Sequence, residues 1–392
     1  MTRTVTVEER RARLARRHRL LPAARTDDLP AIADDLVALH SSDPATVHLS
    51  AMARMRRPCV GAVEQALYDD RALVRHHAMR RTLWVATPDA VRVMHAAATR
   101  KLVGPERRRT AKLLADNGVD DPEAWLAQAR TQVLATLREH GPMTARDIGE
   151  AVPALRHRIV MAPGKRYSAT VSAHTRVLLN LGFEGQVVRT RPVGSWINST
   201  YTYAAMDTWL DGGIGDLGER EAACDLALRW LRAFGPGTAA DLQWWAGWTA
   251  ATTRGALADC GAVEVRLEEG TGLVAPGDED PVEPVGPWVA LLPGLDPTTM
   301  GWQRREWYLP EACADAFDRM GNAGPTIWVD GQVVGAWVQA SDGGLRTHLF
   351  LDVGRARRAE IEGRAAEVAQ MIGDTRFAVR FPSRISARLA AQ

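Results

Sequence analysis

The 392-residue sequence has little cysteine and no long apolar run. Its four cysteines, Cys59, Cys224, Cys260 and Cys313, are far apart and form no C-x-x-C pair, so no zinc site is predicted and a reducing compartment is the simplest explanation. No apolar run approaches the roughly 18 residues that a membrane helix needs. The segment from Met1 to Arg19 is highly charged and lacks an apolar core. We therefore expect a soluble, cytoplasmic protein.

The common catalytic motifs are missing as well. The sequence contains no H-E-x-x-H, no P-loop, no G-x-S-x-G and no dinucleotide-binding glycine pattern. These absences disfavour metal, nucleotide and hydrolase chemistry of the familiar kinds, and we expect neither a cofactor nor a metal. A chain of this length can hold about two to four domains.

A repeated segment is the most informative feature that is present. Residues 140–148 return 94 positions later as residues 234–242, and both copies contain Gly-Pro-x-Thr after an apolar helical stretch. Gly-Pro breaks the first helix and the threonine caps the next. In both copies a further helix ends in Leu-x-x-x-Gly and precedes a β-like run, at residues 186–189 and 263–266. This order predicts two winged helix-turn-helix units, which mostly bind duplex nucleic acid and otherwise dock proteins.

Charge distinguishes the two copies. Residues 1–200 contain 32 Lys and Arg against 20 Asp and Glu, whereas residues 201–392 contain 17 against 27. A positive half attracts a polyanion, although a charge run is often only a solvated surface. The second copy is acidic, and we expect it to be scaffold. The first copy is expected to contact DNA through a group of cations: Arg156, Arg158, Lys165, Arg166, Arg176, Arg189 and Arg191.

Tryptophan is abundant, and some of it lies beside cations. The run from Trp302 to Tyr308 interleaves Arg304 and Arg305 with aromatic rings, as a surface that contacts bases or phosphates does, and Trp196 falls on the predicted wing of the first copy. We expect these two arginines and Trp196 to contact DNA. By contrast, Trp244, Trp245 and Trp248 follow the second Gly-Pro turn and are predicted to be core.

The two ends of the chain have different patterns. Near the N-terminus the sequence predicts a basic helix over 5–19, a helix from Leu29 whose apolar pattern extends through Leu39, a helix capped by Asp43 and two strands within 73–87, which together suggest a third, diverged winged-helix unit. After a linker at 276–281, β-type runs, an Asp330-Gly331 hairpin, a helix over 355–371 and a last strand over 377–381 predict a small mixed β unit.

The segment from Leu39 to Pro44 holds the best candidates for chemistry. If Pro44 forces an extended chain there, His40 and Ser42 point the same way and hold one water between them. His40 would be the near-neutral base that orients or deprotonates this water, with Ser42 assisting. The alternative is that His40 is only a helix-end residue favoured by the helix dipole, that the serines are turn residues and that Asp43 is an N-cap.

With these residues in view, the chain resembles the winged-helix DNA-binding family that includes the AlkZ-type DNA glycosylases. The likeness covers nearly the whole chain and depends on four features: residues 36–44, the Gly-Pro turns, residues 291–297 and residues 325–335. It implies an α+β, mainly helical fold in which tandem winged helix-turn-helix units form a C-shaped array with a C-terminal mixed β unit. We place the units at 1–110, 111–212, 213–275 and 276–392.

The resemblance also implies a function. The family's catalytic pair flanks one residue just before Asp-Pro and is usually Gln with Gln or Asp, or in one branch His with Gln. Here His40 agrees with the His branch, whereas Ser42 departs from Gln or Asp. The resemblance implies a monomeric, nucleoid-associated DNA repair glycosylase that hydrolyses the N-glycosidic bond of bulky N7-alkylated purines in double-stranded DNA and gives self-resistance to a DNA-alkylating natural product. The alternative is a non-catalytic DNA-binding regulator or damage-recognition factor.

Overall fold

In the computed structural model, which describes residues 2–166 and 168–391, the chain is a mixed α/β protein in which helices predominate. Two helices continue into π-helical turns, at Gln65–Asp69 and His95–Thr99. The N-terminal helices and strands are α1 (Val7–Arg17), α2 (Leu29–Asp35), β1 (Leu39–His40), α3 (Pro44–Met52), α4 (Val60–Glu64), β2 (Val74–His77), β3 (Leu83–Ala86), α5 (Pro88–Met94) and α6 (Arg100–Ala115).

A small antiparallel sheet with the order β1-β3-β2 positions the candidate motif. The prediction of one helix through Leu39 is wrong: α2 ends at Asp35, and Val37 adopts a left-handed φ of 63° that a β-branched side chain tolerates poorly. The chain then runs extended as β1, where Leu39 pairs with Val85 and His40 with Trp84. The predicted cap of α3 is confirmed, since the Asp43 side chain accepts the Ala45 amide N–H.

The segment that contains the first repeat copy has its own core. The strands β4, β8 and β7 form one sheet, and β5 pairs with β6 in a separate hairpin. One cluster of buried apolar residues extends from Leu114 to Ala205 and contains no residue outside these limits. The elements are α7 (Pro122–His140), β4 (Met143–Thr144), α8 (Ala145–Ala151), β5 (Arg158–Met161), β6 (Ala169–Ser172), α9 (His174–Phe183), β7 (Val187–Pro192), β8 (Tyr201–Ala205) and α10 (Met206–Trp209).

The second copy repeats the local chemistry of the first. Thr144 and Thr238 each cap the following helix by accepting the amide N–H of an aspartate three residues later, as the sequence predicted. The two aspartates differ in burial, because Asp147 is exposed and Asp241 is fully buried. The elements of this segment are α11 (Glu219–Phe234), α12 (Ala239–Ala246), α13 (Ala250–Asp259), β9 (Val263–Leu267) and β10 (Gly270–Val274).

The C-terminal segment contains a four-stranded antiparallel sheet with the order β11-β12-β13-β14. The hairpin at Asp330-Gly331 is confirmed, with left-handed φ values of 49° and 84°. The prediction of a strand over 377–381 is wrong. Two of its backbone amides donate to side chains instead of a neighbouring strand: the amide of Phe377 to Gln339 and the amide of Arg380 to Asp43. The elements are β11 (Val289–Leu292), α14 (Pro297–Met300), β12 (Thr326–Val329), β13 (Gln332–Gln339), β14 (Leu345–Leu349), α15 (Gly354–Ile372) and α16 (Arg384–Ala390).

The largest apolar core extends from Leu14 to Val333 and joins the N-terminal segment, the second copy and the C-terminal segment. Trp302, Trp307 and Tyr308 belong to it, so the expectation that this run forms an aromatic surface is wrong. Trp245 and Trp248 are buried, as predicted. The division into units at 110, 212 and 275, their winged-helix identity and their C-shaped arrangement stay predictions.

A buried ion pair ties the N-terminal helices to the C-terminal segment. Arg54 donates to both carboxylate oxygens of Asp296, and both side chains are fully inaccessible. Ser50 also donates to Asp296, and Thr298 bridges Arg54 and His18. The Leu-Pro-Gly-Leu-Asp-Pro motif around Asp296 thus acts as an anchor between segments. Among the described residues, the helices are all too short or too polar to span a bilayer.

Candidate functional site

The candidate motif lies where β1 meets α3. Asp43 and Pro44 end the strand and begin the helix, because the aspartate caps the first free amides and proline suits the first helical turn. The amide N–H of Ser41 still bonds to the carbonyl of Leu83, which keeps the chain extended up to the motif. The backbone therefore presents successive side chains to opposite faces of the sheet.

His40 is buried on one of these faces. Its ring packs edge-on against Trp84, with the ring centroids 4.7 Å apart, and only 3% of the residue is exposed. Nδ1 accepts the amide N–H of Ser42 at 3.3 Å, so this nitrogen does not hold a water shared with the Ser42 side chain as we expected. Burial, with a smaller contribution from the positive charge of Arg80, lowers the pKa of His40 to about 3. The ring is therefore neutral at neutral pH and, with Nδ1 accepting, carries its proton on Nε2.

Ser41 and Arg75 mark the opposite face. The Nε–H of Arg75 donates to Ser41 Oγ at 2.8 Å. Arg75 is 3% exposed, and its other donors reach the carbonyls of Arg189 and Thr190 and the hydroxyl of Tyr68. Arg75 thereby connects Ser41, the central residue of the motif, to β7.

Arginines and tyrosines alternate in a stack beside this contact. Arg75 lies 4.5 Å from the ring centroid of Tyr201, Arg189 lies 5.9 Å from the same ring, and Arg191 lies 4.8 Å from the ring of Tyr68. Cation–π contacts of this kind hold guanidinium groups without neutralising them. The stack therefore connects β7 and β8 to β2, and the charges of Arg75 and Arg189 remain next to the motif.

A cleft of about 290 Å³ opens beside Ser42. It lies where the N-terminal sheet, the β7–β8 pair and the C-terminal tail meet. Its walls offer hydroxyl groups and guanidinium groups and contain no carboxylate among the described residues. The lining residues are Ser41, Ser42, Pro44, His77, Arg81, Thr82, Leu83, Arg189, Ser199, Tyr201, Arg380 and Phe381.

The structure places the expected DNA-contacting cations in different surroundings. Arg189 is half-buried and lines the cleft. Four others are exposed on or beside the β5–β6 hairpin, where a duplex has free access to them: Arg156, Arg158, Lys165 and Arg166.

Several of the expected contacts need correction. Arg176 is 8% exposed and points at Glu106, and Trp196 is 5% exposed and packs against His48, so neither faces a duplex. Arg191 is exposed but forms ion pairs with Glu64 and Asp69.

The two arginines of the aromatic run behave differently from each other. Arg305 turns inward and donates to the carbonyls of Trp302 and Gly321, which removes it from the expected surface. Arg304 is exposed. Its backbone amide is held by the buried carboxylate of Asp241.

Three residues escaped the sequence analysis: Arg75, which lies behind the wall of the cleft, and Tyr201 and Arg380, which line it. They come from β2, β8 and the C-terminal tail, and no local pattern connects them. One sequence signal could have pointed to the β7–β8 side of the cleft. Arg189 and Arg191 are two residues apart, as are Tyr201 and Tyr203, and this spacing places the members of each pair on the same face of a strand.

Within the described residues, no group of three or more His, Cys, Asp or Glu side chains is arranged to hold a metal ion. His76 and His95 do meet, with Nε2 and Nδ1 3.1 Å apart. Burial lowers the pKa of both, so the contact joins two neutral rings.

Comparison with known proteins identifies the family and a similar fold. The sequence model of the AlkZ-like DNA glycosylases matches residues 33–371. The structure of the DNA glycosylase AlkZ from Streptomyces sahachiroi superimposes with a TM-score of 0.72 over 97% of this chain and 99% of that one, at 20% identity. No functionally curated protein matches significantly. The chain therefore belongs to the AlkZ-like DNA glycosylase family.

Proposed function

We propose that the protein is a monofunctional DNA glycosylase that hydrolyses the N-glycosidic bond of bulky N7-alkylated purines in duplex DNA. The observation that carries the proposal is that Ser42, which the resemblance equates with the second member of the family's catalytic pair, lines a cleft whose cations come from three segments of the chain. Self-resistance to a DNA-alkylating natural product would be the corresponding role. Membership in the family and the similarity to AlkZ support the glycosylase reaction.

The reaction makes modest demands on the protein. An N7-alkylpurine already carries positive charge, so its glycosidic bond is weak and the enzyme has to place a water and tolerate an oxocarbenium-like sugar. Ser41 and Ser42 both line the cleft, but the hydroxyl of Ser41 already accepts a hydrogen bond from Arg75. In our proposal the hydroxyl of Ser42 orients the water. No cofactor or metal takes part in the proposed mechanism.

His40 has a different part in this proposal from the one that its sequence position predicted. Its Nδ1 accepts the Ser42 amide, and its Nε2 carries the proton, so neither nitrogen is available as a base in this arrangement. His40 is then a positioning residue, which holds the backbone of Ser42 and thereby aims its hydroxyl. A direct role as base would require the Ser42 amide to leave Nδ1.

One set of variants separates these roles. The protein is incubated with duplex that carries N7-methylguanine or a bulkier N7 adduct, and abasic sites are detected by alkaline cleavage. Ser42→Ala should slow release roughly tenfold or more, which is the effect of losing a hydrogen bond to a reacting group. His40→Asn, whose Oδ1 replaces Nδ1 as acceptor, should keep most activity, whereas His40→Leu should lose it.

The control is His140→Asn, which changes an exposed histidine far along the chain and should leave release unchanged. A loss of about 10²–10⁴-fold in His40→Asn would instead identify His40 as a general base. No release from a panel of adducts, with duplex binding intact, would refute the glycosylase proposal.

The second candidate function is a non-catalytic DNA-binding protein, a regulator or damage-recognition factor. The observation that favours it is the burial of His40, because a ring that is 3% exposed is shielded from a substrate. The same assay decides, since this protein would bind alkylated duplex and release no base.

A further inference from the structure

Two guanidinium groups in the wall of the cleft lack partners. Arg189 and Arg380 line the cleft, and among the described residues neither side chain makes an ion pair or a hydrogen bond. A third lining cation, Arg81, is neutralised by Glu106. Asp43, one of whose oxygens accepts the backbone amide of Arg380, supplies one negative charge beside the cleft. Arg189 and Arg380 together outnumber it, so the cleft has an excess of positive charge.

A buried cation lies behind this wall. Arg75 is 3% exposed and has no carboxylate within ion-pair distance among the described residues. Its donors reach neutral acceptors, Ser41 Oγ, two carbonyls and the Tyr68 hydroxyl. An unpaired charge in the interior is costly, and an anion held in front of it would offset that cost.

A buried hydroxyl at the cleft also has no partner. Tyr201 is 4% exposed, lines the cleft and packs between Arg75 and Arg189, and its Oη makes no hydrogen bond with the described residues. Buried hydroxyl groups in folded proteins almost always have a partner. The unpaired Oη–H therefore points to a ligand that accepts a hydrogen bond, as an anion does.

We propose that this cleft binds one phosphate of the DNA strand that carries the target nucleotide, between the guanidinium groups of Arg189 and Arg380. Arginine and hydroxyl donors are the usual partners of backbone phosphates, and Ser42 and Ser199 supply hydroxyls in the same cleft. Held there, the phosphate places the neighbouring sugar beside Ser42. The inference rests on the proposed function, because it assigns the substrate's backbone to the same site.

A backbone phosphate suits the site better than free phosphate. Arg189 is on β7, which shares its core with the β5–β6 hairpin that exposes Arg158, Lys165 and Arg166. A strand that places one phosphate in the cleft can extend along these cations, and each further contact adds affinity through counterion release. Free phosphate gains nothing from the hairpin.

Salt dependence on undamaged duplex tests the pocket without catalysis. Wild type, Arg189→Gln, Arg380→Gln and the double variant are compared with Arg220→Gln, which removes one charge, as each single variant does, from an exposed arginine in the second repeat copy. The double variant should bind about tenfold more weakly, and its slope of log K against log salt should be smaller by about 0.9, the value for one phosphate. Arg220→Gln should behave as wild type.

The outcomes are decisive in both directions. A double variant with an unchanged slope, or one whose slope falls by about 1.8 as for two separate phosphates, overturns the proposal. Arg380 is exposed on an irregular segment, so Arg380→Gln should leave the apolar core intact, and a change in binding reports on the cleft itself.

A second measurement locates the phosphate. Neutral methylphosphonate linkages are placed one at a time around an abasic-site analogue in duplex. At one linkage, the neutral substitution should weaken duplex binding by the wild type about tenfold and binding by the double variant hardly at all. Equal losses in both proteins at every linkage would overturn the inference, as would calorimetric binding of inorganic phosphate together with an unchanged duplex slope.

These results separate the two proposals. If the double variant shows the smaller slope but the wild type releases no base, the phosphate site is supported and the glycosylase function is refuted. If the wild type releases base but the slope is unchanged in the double variant, the glycosylase function is supported and the phosphate site is refuted.

Discussion

The two ring nitrogens of His40 determine what this residue can contribute to chemistry. Nδ1 is occupied by the Ser42 amide, and burial lowers the pKa to about 3, so the ring does not change its charge near neutrality. A solvent-exposed histidine would titrate near pH 6.5. The local environment of His40 therefore removes the property for which histidine is usually selected as a base.

A pH profile follows from this environment. Between pH 6 and pH 8 the rate of base release should change by less than about twofold, because His40 stays neutral throughout. The measurement is single-turnover release from N7-methylguanine duplex across this range. A rate that rises with an apparent pKa near 6.5 would show that His40 becomes solvated and titrates in the DNA complex.

At the same scale, Arg54 and Asp296 form an anchor whose partners depend on each other. Asp296→Asn would leave the buried Arg54 guanidinium without its counter-charge, and we expect a loss of about 3–5 kcal/mol in the free energy of unfolding. Arg357→Gln, which removes a partly exposed ion pair with Glu360 on α15, should cost less than about 1 kcal/mol. Urea unfolding of both variants provides the comparison. Equal losses would show that the buried pair is not the anchor that its geometry suggests.

At the scale of elements, the two repeat copies differ in how they use one aspartate. Asp147 accepts a hydrogen bond from the hydroxyl of Thr144, the cap of α8, at an exposed site, whereas Asp241 is buried and accepts hydrogen bonds from Thr238 and from the amides of Gln303 and Arg304. The carboxylate of the second copy thus holds a loop of the C-terminal segment in place. This contact is consistent with a supporting role for the second copy.

Matched substitutions test the difference. Asp241→Asn replaces an acceptor of four hydrogen bonds with a group that also donates, and it should lower the free energy of unfolding by about 2–3 kcal/mol. Asp147→Asn leaves Thr144 as the cap of α8 and alters one exposed hydrogen bond, so it should cost less than about 1 kcal/mol. Thermal or urea unfolding measures both. Similar losses at the two positions would mean that the copies are structurally equivalent.

At the scale of the whole molecule, the charge asymmetry is partly used inside the protein. Arginines of the basic half pair with acids of the acidic half, as Arg10 does with Glu269 and Arg13 and Arg17 do with Asp278. Two of these arginines are almost inaccessible, so the basic helix α1 is turned toward the protein. The β5–β6 hairpin, by contrast, keeps Arg158, Lys165 and Arg166 exposed.

Buried histidines make the whole fold sensitive to acid. Burial lowers the pKa of His18, His40, His48 and His77 to about 3, whereas in the unfolded chain histidine titrates near 6.5. Between these values the unfolded state binds more protons, so stability falls as the pH drops, by up to about 1.4 kcal/mol per pH unit for each histidine. Their contribution is fully present above pH 6.5.

We therefore expect the free energy of unfolding to decrease steeply between pH 6.5 and pH 4.5. Urea unfolding at several pH values gives the number of protons taken up, which should be at least two per molecule near pH 5. His140→Gln, at an exposed position, should leave this number unchanged. A flat profile over the range would mean that these rings are accessible to solvent in the native protein.

Local sequence patterns correctly predicted the helix caps and turns, whose hydrogen bonds involve only residues close together in the sequence. Thr144 and Thr238 cap their helices, Asp43 and Pro44 open α3, and Asp330-Gly331 forms a hairpin, since each needs only a few adjacent residues to satisfy backbone groups. Predictions failed where a distant partner intervened. Residues 377–381 do not form the predicted strand, because Gln339 and Asp43 accept the backbone amides of Phe377 and Arg380. Leu39 lies in a strand instead of a helix because it pairs with Val85 of β3.

By itself, the sequence determined the repeat, the caps and turns and the predominance of helices over strands, because these depend on short-range backbone chemistry and on apolar periodicity. Only the tertiary structure decided what surrounds the motif. It buried His40 against Trp84, turned Arg176 and Trp196 inward, and brought Arg75, Tyr201 and Arg380 together from three segments. Burial and charge balance are sums over residues that are distant in sequence, and they exist only once the chain has folded.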